Sequence, residues 1–458
     1  MPKQAPPRAP VAPVAPAGDE LGQRTEGAGL HPDALGLVPP RGMRDIVPPT
    51  SAGLKRLRSE VMRVFGLYGY DRVITPPFEL AEVLERGLDA VDRRELMRFV
   101  EPHSGEVALL RPDMTPQVAR IVATRLSDRP SPHRLCYEGT VVRRMRHRAR
   151  RRQQTLQAGI ECIGWGGPEA DVEVLRIADH ACQQVGLRGH QLELAHVNIA
   201  ATVLDLVPSA ARAGVADALA QKDAFSIEAR LQQAGVPAKE RTRVLALTEL
   251  YGDVSVLAAA RKRFPRGPIA DAIRELSEVV DRLSDIALDA TVTVDLGELR
   301  GHSYYTGVSV TLLAEGPGAP VGTGGRYDAL LARFGMPAPA TGFAFDVDNL
   351  AWALRAQGQS MLDNAPLRVV VGGDAPAADA LAATLRAGGL PAARVDGSVK
   401  QATAYAVSWS YPLVIMASGR SHRVVRVHDG ETSRIASDTP DIIHQLTSFA
   451  HAATGAAL

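Results

Sequence analysis

Cysteine is scarce: the 458 residues hold three, Cys136, Cys162 and Cys182, with no CxxC spacing among them. An odd number without that spacing argues against a disulfide framework and a zinc ribbon. It suits a reducing cytosol, so the chain is expected in the cytoplasm and its thiols in the core. Excess charge is also missing. Lys and Arg number 52 against 51 Asp and Glu, a formal +1, which excludes a protein coated in positive charge for general DNA binding; any anion site must be local. No run approaches the roughly 18 to 20 apolar residues of a membrane-spanning helix. The opening "MPKQAPPRAPVAPVAPAGDE" lacks the apolar centre of a secretory signal and reads as a disordered Pro/Ala-rich tail over 1–40. What remains is ordinary in composition, 45% hydrophobic and 22% charged, and long enough for two or three domains.

Periodicity organises the rest. In "SAGLKRLRSEVMRVFGLYGY", Leu54, Leu57, Val61, Val64 and Phe65 share one helical face, with Thr50 or Ser51 as cap. A short strand, "DRVITPPFE", should follow. "EVALLRPDMTPQVARIVATRL" reads as a strand ending near Arg111 and a helix entered through Thr115 and Pro116, since proline is tolerated in a first turn. "RLCYEGTVVR" and "LQAGIECIG" form a long hairpin around a basic tip. From about 199 to 288 the chain is rich in Ala, Leu and charge at helical spacing, a helical insertion. Strand signals resume at "ATVTVDLGEL" and "YYTGVSVTLL", followed by "GTGGRYDALLARFG", whose glycines read as a tight turn. After "DNAPL", strand and helix patterns alternate from "RVVVGGDAPAADALAATLRAGG" through "YPLVIMAS", as in a separate α/β domain over 366–458.

Local motifs leave several chemistries open. Seven arginines lie between Arg143 and Arg152, a nucleic-acid patch, a grip for a nucleotide's phosphates or a solvated face; forked guanidinium groups at a hairpin tip suit phosphate oxygens. "GTGGRYDAL" lacks the GxxxxGK[ST] lysine and the GxGxxG spacing of phosphate loops. "RGHSYYTG" groups Arg300, His302, Ser303, Tyr304, Tyr305 and Thr306, a set suited to a small ligand with a carboxylate and a ring, although paired tyrosines also serve packing. No second histidine at ligand spacing accompanies His302, so a metal or catalytic role for it is not expected.

Together these segments resemble the histidyl-tRNA synthetase branch of the class II synthetase fold, collinearly from about Gly42 through the C-terminal domain. "GMRDIVPP" and "YGYDRVITPPFE" resemble its first motif, where the proline, here Pro76, supports a dimer interface. "LRPDMTPQVAR" is similar to the amino-acid-binding loop, "VRRMRHRARRRQQTLQAGIECIG" to the second motif, and "LRGHSYYTGVSV" with "GGRYDALL" to the histidine-specific elements. The resemblance implies an α+β fold: a synthetase-like core over 41–362, an antiparallel sheet with flanking helices that carries the insertion, and a C-terminal anticodon-binding-like α/β domain.

Amino-acid activation needs arginines on the phosphates and an aromatic platform for adenine. Arg143 fills the α-phosphate position, but the adenine-contacting glutamate is replaced by Met145 and the stacking phenylalanine by Thr155. The third motif appears as "GFAFDVDN", so its Glu-Arg pair has become Asp348 and Asn349. By the same resemblance the histidine contacts are better kept: Asp113 (a glutamate in the synthetase), Thr115, Gln157, Glu161, Arg300, Tyr304 and Tyr305. The pattern, including "RPDMTPQVARI", resembles the regulatory subunit family of ATP phosphoribosyltransferase. That resemblance implies a noncatalytic partner of the short-form catalytic subunit in the first step of histidine biosynthesis, self-association through the core, and histidine as effector. It implies no cofactor, no required metal and no membrane. The alternatives are an active histidyl-tRNA synthetase or a tRNA-binding paralogue. Against tRNA as a partner, only Arg394 and Lys400 are cationic between Arg394 and Ile415.

Overall fold

In the computed structural model the described residues are 37–87, 96–143, 153–299, 304–359, 366–437 and 441–451. Residues 1–36 of the Pro/Ala-rich tail, the arginine tip from Arg144 to Arg152 with Met145, and Arg300, His302 and Ser303 lie outside them. The chain divides after Arg44, and every helix and strand among the described residues belongs to the unit Asp45–Leu458.

Helix α1, Thr50–Leu67, buries Leu54, Leu57, Val61, Val64 and Phe65, the face that its spacing predicts. It starts from Pro49 with no side-chain cap, so neither Thr50 nor Ser51 caps it. The single strand expected in "DRVITPPFE" is two: β1, Asp71–Arg72, and β2, Phe78–Leu80. The adjacent prolines Pro76 and Pro77, which have no N–H to give to a ladder, separate them. β3, Arg98–Val100, and β4, Val107–Leu110, complete a small antiparallel sheet with β2, beside α2, Ala81–Arg86. Helix α3, Thr115–Arg125, has Pro116 in its first turn as expected.

The long hairpin is present as β5, His133–Val142, and β6, Gln154–Ile163, paired antiparallel along their whole length. Helix α4, Pro168–Val185, and strand β7, Gln191–His196, follow. Between Val197 and Ser284 come α5 Val197–Leu204, α6 Ser209–Ala220, α7 Ala224–Gln233, α8 Ala238–Ala246, strand β8 Tyr251–Asp253, α9 Val256–Arg263 and α10 Pro268–Ser284. β8 is a departure from an all-helical stretch, and it joins the edge of the main sheet. β9 Thr291–Asp295, β10 Val308–Leu313, β11 Gly322–Arg326, β12 Ala340–Asp346 and α11 Val347–Ala356 close this part of the chain.

The main sheet has nine strands in the order β1-β5-β6-β12-β11-β10-β7-β9-β8, antiparallel from β5 through β7. β11 corrects the reading of "GTGGR" as a turn. Glycine usually punctuates a chain, but here it lies mid-sheet because its neighbours leave no room: a Cβ at Gly322 would strike the Phe343 ring, and one at Gly324 would come within 2.5 Å of Gly342 O.

Side chains alternate across this sheet and separate two interiors. Cys136, Ala158, Ile160, Cys162, Phe343 and Phe345 join one core with α1 and α4, and the Phe65 and Phe345 rings stack at 6.4 Å. All three cysteines are buried and free, as their number predicted. On the other face Tyr137, Ile163 and Ala340 meet Met114, Val118, Tyr304 and Tyr327. Full burial of each large apolar side chain contributes roughly 1.5–3 kcal/mol.

Residues after Pro366 form a five-stranded sheet, β14-β13-β15-β16-β17, from Val369–Gly373 (β13), Ala392–Arg394 (β14), Leu413–Ala417 (β15), Ser421–Arg426 (β16) and Thr432–Ala436 (β17). β13 pairs parallel with β14 and β15, while β16 and β17 continue antiparallel. α12, Ala375–Ala387, and α14, Ile442–His451, share one core with this sheet, and α13, Val399–Ser408, covers another cluster. Among the described residues no helix is long and apolar enough to cross a membrane.

Candidate functional site

The second face of the sheet opens into a narrow cleft lined by Asp113, Thr115, Tyr137, Glu161, Tyr304, Tyr305, Thr323, Tyr327 and the strand Gly342–Ala344. Strand register explains its floor. Glu161 on β6 stands directly opposite Gly342 on β12, and Tyr137 on β5 stands opposite Gly159. Both glycines are required by space: a Cβ at Gly342 would land on Glu161 Oε2, and one at Gly159 would come within 2.6 Å of the Tyr137 hydroxyl.

Two carboxylates are caged by hydroxyl groups. Thr115 Oγ1 donates to Glu161 Oε1 at 2.6 Å, the Tyr137 hydroxyl donates to the same oxygen at 2.9 Å, and the Tyr327 hydroxyl donates to Oε2. Asp113 Oδ2 accepts from the Tyr304 hydroxyl at 2.7 Å, while Oδ1 accepts from Gln157 Nε2 at 3.1 Å and from Met114 N at 2.8 Å. Tyr304 packs edge-on to both Tyr305 and Tyr327.

Burial dominates the titration of this group. It pushes the Glu161 carboxyl up to about 8, against the opposing pull of the Thr115 and Tyr327 hydroxyls. The same desolvation carries Tyr137, Tyr304, Tyr305 and Tyr327 above the usual phenol range, so they remain donors. A cavity that burial makes costly for anions, yet which holds two carboxylates, is complementary to a cationic ligand.

Of the residues singled out from sequence, Asp113, Thr115, Glu161, Tyr304 and Tyr305 line one cleft. Gln157 is buried behind them, its amide nitrogen held by Asp113 and its Oε1 without a partner among the described residues. Arg143 does not line the cleft; its Nε donates to Pro112 O at 2.5 Å, beside Asp113. Arg300 lies outside the described residues. Tyr137, Tyr327, Thr323 and Gly342 were not singled out. Tyr327 sits inside the quoted "GGRYDALL", Thr323 inside "GTGGRYDAL", Gly342 at the start of "GFAFDVDN" and Tyr137 inside "RLCYEGTVVR", but their place at the cleft comes from strand pairing.

The third-motif positions start α11. Asp346 accepts from Asn349 N at 3.0 Å and caps the helix, and burial raises its carboxyl to about 6. Asp348 Oδ2 accepts from Leu156 N at 3.1 Å, while Asn349 Nδ2 donates to Pro320 O at 2.8 Å. By the motif resemblance Asp348 falls at the pattern's glutamate and Asn349 at its arginine.

Residues 42–350 match the family described as histidyl-tRNA synthetase. An ATP phosphoribosyltransferase regulatory subunit from Syntrophotalea carbinolica is 35% identical over 406 residues, 87% of this chain and 95% of that one. The chain belongs to the ATP phosphoribosyltransferase regulatory subunit family. A member from Anaeromyxobacter sp. is 43% identical over 338 residues, 73% of this chain and 98% of its own, so the family includes chains shorter than this one. A crystal structure from Bacillus halodurans, titled ATP phosphoribosyltransferase regulatory subunit/histidyl-tRNA synthetase, superposes with a TM-score of 0.70 at 27% identity. It covers 83% of this chain and 98% of that one. The regulatory-subunit family is thus carried on the class II synthetase fold that the motifs implied, and family membership favours the regulatory reading over the synthetase alternative.

Proposed function

We propose that this chain is a noncatalytic regulatory subunit that assembles with the short-form catalytic subunit of ATP phosphoribosyltransferase, in the first step of histidine biosynthesis, and binds histidine as effector in the Asp113–Glu161 cleft. The names of its relatives support partnership with a catalytic subunit. The observation that carries the noncatalytic part is Asn349, whose neutral amide donates to Pro320 O where the synthetase pattern has its γ-phosphate arginine. Loss of one such clamp removes about 3 kcal/mol of transition-state stabilisation, on the order of 10²-fold in rate.

For histidine, Asp113 and Glu161 are the acceptors for ammonium and imidazole, Thr115, Gln157, Tyr304 and Tyr305 hold them in place, and Arg300 pairs with the carboxylate. Arg143, close to Asp113 through Pro112, is the contact for a phosphate if one enters. Histidine that binds one assembled state better than another shifts their populations by that difference in affinity. The self-association proposed through the core fits the small sheet, where Phe78, Phe99, Val100 and Val107 are exposed and Ile74 projects two residues before Pro76. Neither tRNA nor a cofactor is part of this proposal.

The test is co-purification with the short catalytic subunit, with phosphoribosyl transfer measured with and without histidine. The expected result is a complex whose activity responds to histidine, and no histidine-dependent ATP–pyrophosphate exchange by this chain alone. Robust exchange would overturn the noncatalytic reading in favour of a synthetase.

A further inference from the structure

Lys222 has its backbone in the left-handed region, φ 55°, one of two non-glycine residues at positive φ among those described. It occupies the position after the α6 C-cap, where glycine is favoured. Lys222 N donates to Leu219 O at 2.9 Å and Asp223 N to Ala218 O at 3.0 Å, the pair of bonds that closes a helix in this way. Glycine would serve this backbone better, so the reason for lysine lies in its side chain.

That side chain leaves the helical segment and reaches the main sheet. Its Nζ pairs with Asp295 Oδ1 at 2.6 Å, with Asp295 buried at the end of β9, and lies over the Tyr251 ring of β8 at 5.5 Å. The same Asp295 oxygen accepts from Gly297 N at 2.9 Å, which fixes the turn after β9. Gly297 is the complementary exception: a Cβ there would come within 2.9 Å of Lys222 Nζ and 2.7 Å of Leu247 O. A lysine stands where glycine is favoured, facing a glycine where any side chain would displace the lysine. Glu193 and Glu298 bring their carboxylates to within 4.8 Å of that of Asp295, so the ammonium enters an acidic environment. From Asp295 the chain runs nine positions to Tyr304, whose hydroxyl holds Asp113.

We propose that Lys222 is a positioning residue for the cleft: through Asp295 it fixes the turn from which the chain reaches Tyr304 and Tyr305, and so couples the α6–α7 segment to ligand affinity. The effect on affinity rests on the histidine reading above; the effect on the turn does not. The test compares full-length wild type with Lys222→Gly, which relieves the backbone, and Asp295→Asn, which keeps an acceptor for Gly297 N. Hydrogen exchange is followed without ligand over 296–299 and 304–307, alongside thermal unfolding and histidine titration.

Lys222→Gly leaves the buried Asp295 carboxylate without its cation and should lower the unfolding temperature despite the relieved backbone, while exchange rises in both segments more than elsewhere in the chain and histidine binds at least fivefold more weakly. The Lys222→Gly/Asp295→Asn double variant should bind no more weakly than the weaker single one. Exchange unchanged in Lys222→Gly overturns the proposal, whatever the affinity. Exchange that rises to the same extent throughout the chain also overturns it, because that is a merely structural role. Wild type that binds no histidine defeats the effector reading alone and leaves exchange to decide the positioning role.

Discussion

The Tyr304 hydroxyl donates to Asp113 Oδ2 at 2.7 Å across 191 positions of sequence, and the bond joins the approach to β10 to the loop that enters α3. A charge-assisted bond of this kind contributes roughly 1.5–3 kcal/mol where it is buried. Tyr304→Phe should therefore weaken histidine binding by about tenfold, a loss near 1.4 kcal/mol, with little change in secondary structure. Isothermal titration calorimetry measures this, and wild-type affinity in that variant would show that the cleft does not take the ligand.

Glu161 gives the site a pH signature. Its carboxyl is held at about 8 by burial, against about 4.3 in an unfolded chain. A raised pKa stabilises the folded protein below the unfolded value, and that contribution is lost as pH climbs from about 4.3 through 8. Unfolding temperature should fall between pH 6 and pH 8 in the wild type and fall less in Glu161→Gln. A ligand ammonium beside Glu161 favours the carboxylate, so histidine binding at pH 7 should release a proton. Calorimetry in two buffers of different ionisation enthalpy reads that proton directly.

Gly342 controls Glu161 without offering any atom of its own to a ligand. Gly342→Ala places a methyl group on Oε2 and should weaken histidine binding by at least tenfold while lowering the unfolding temperature. Since the two residues compete for one space, Gly342→Ala/Glu161→Ala should recover part of the lost stability, a non-additive result that a thermal double-mutant cycle resolves.

Away from the cleft floor, Arg326 Nε donates to Asp171 Oδ2 at 3.0 Å and Nη2 to Gly167 O at 2.7 Å, with both side chains buried. Arg326→Met leaves the Asp171 carboxylate without its cation and should cost about 3–5 kcal/mol. The double change Arg326→Met/Asp171→Leu should cost less than Arg326→Met alone. Urea unfolding gives both numbers.

Period and punctuation made α1, α3 and the β5–β6 hairpin legible, because each depends on neighbours a few residues away. Asp113, Thr115, Glu161, Tyr304 and Tyr305 were legible through motif resemblance, and they meet in one cleft. Tyr137 and Tyr327 were not, since their roles come from Glu161, which is 24 and 166 positions away. "GTGGR" was misread for a related reason. Its glycines answer to Phe343 and Gly342 on the neighbouring strand, which no local rule can see.

Alanine is the usual tool for asking what a side chain contributes, on the assumption that it subtracts. Along the floor of this cleft, at positions 159 and 342, it adds. A scan that treats every alanine as a deletion would score these positions as harmful and draw no chemistry from them. Yet they specify how deep the ligand can sit and where the Glu161 carboxylate can point. The shape of this site is written in withheld atoms, and enlarging a residue is the experiment that reads it.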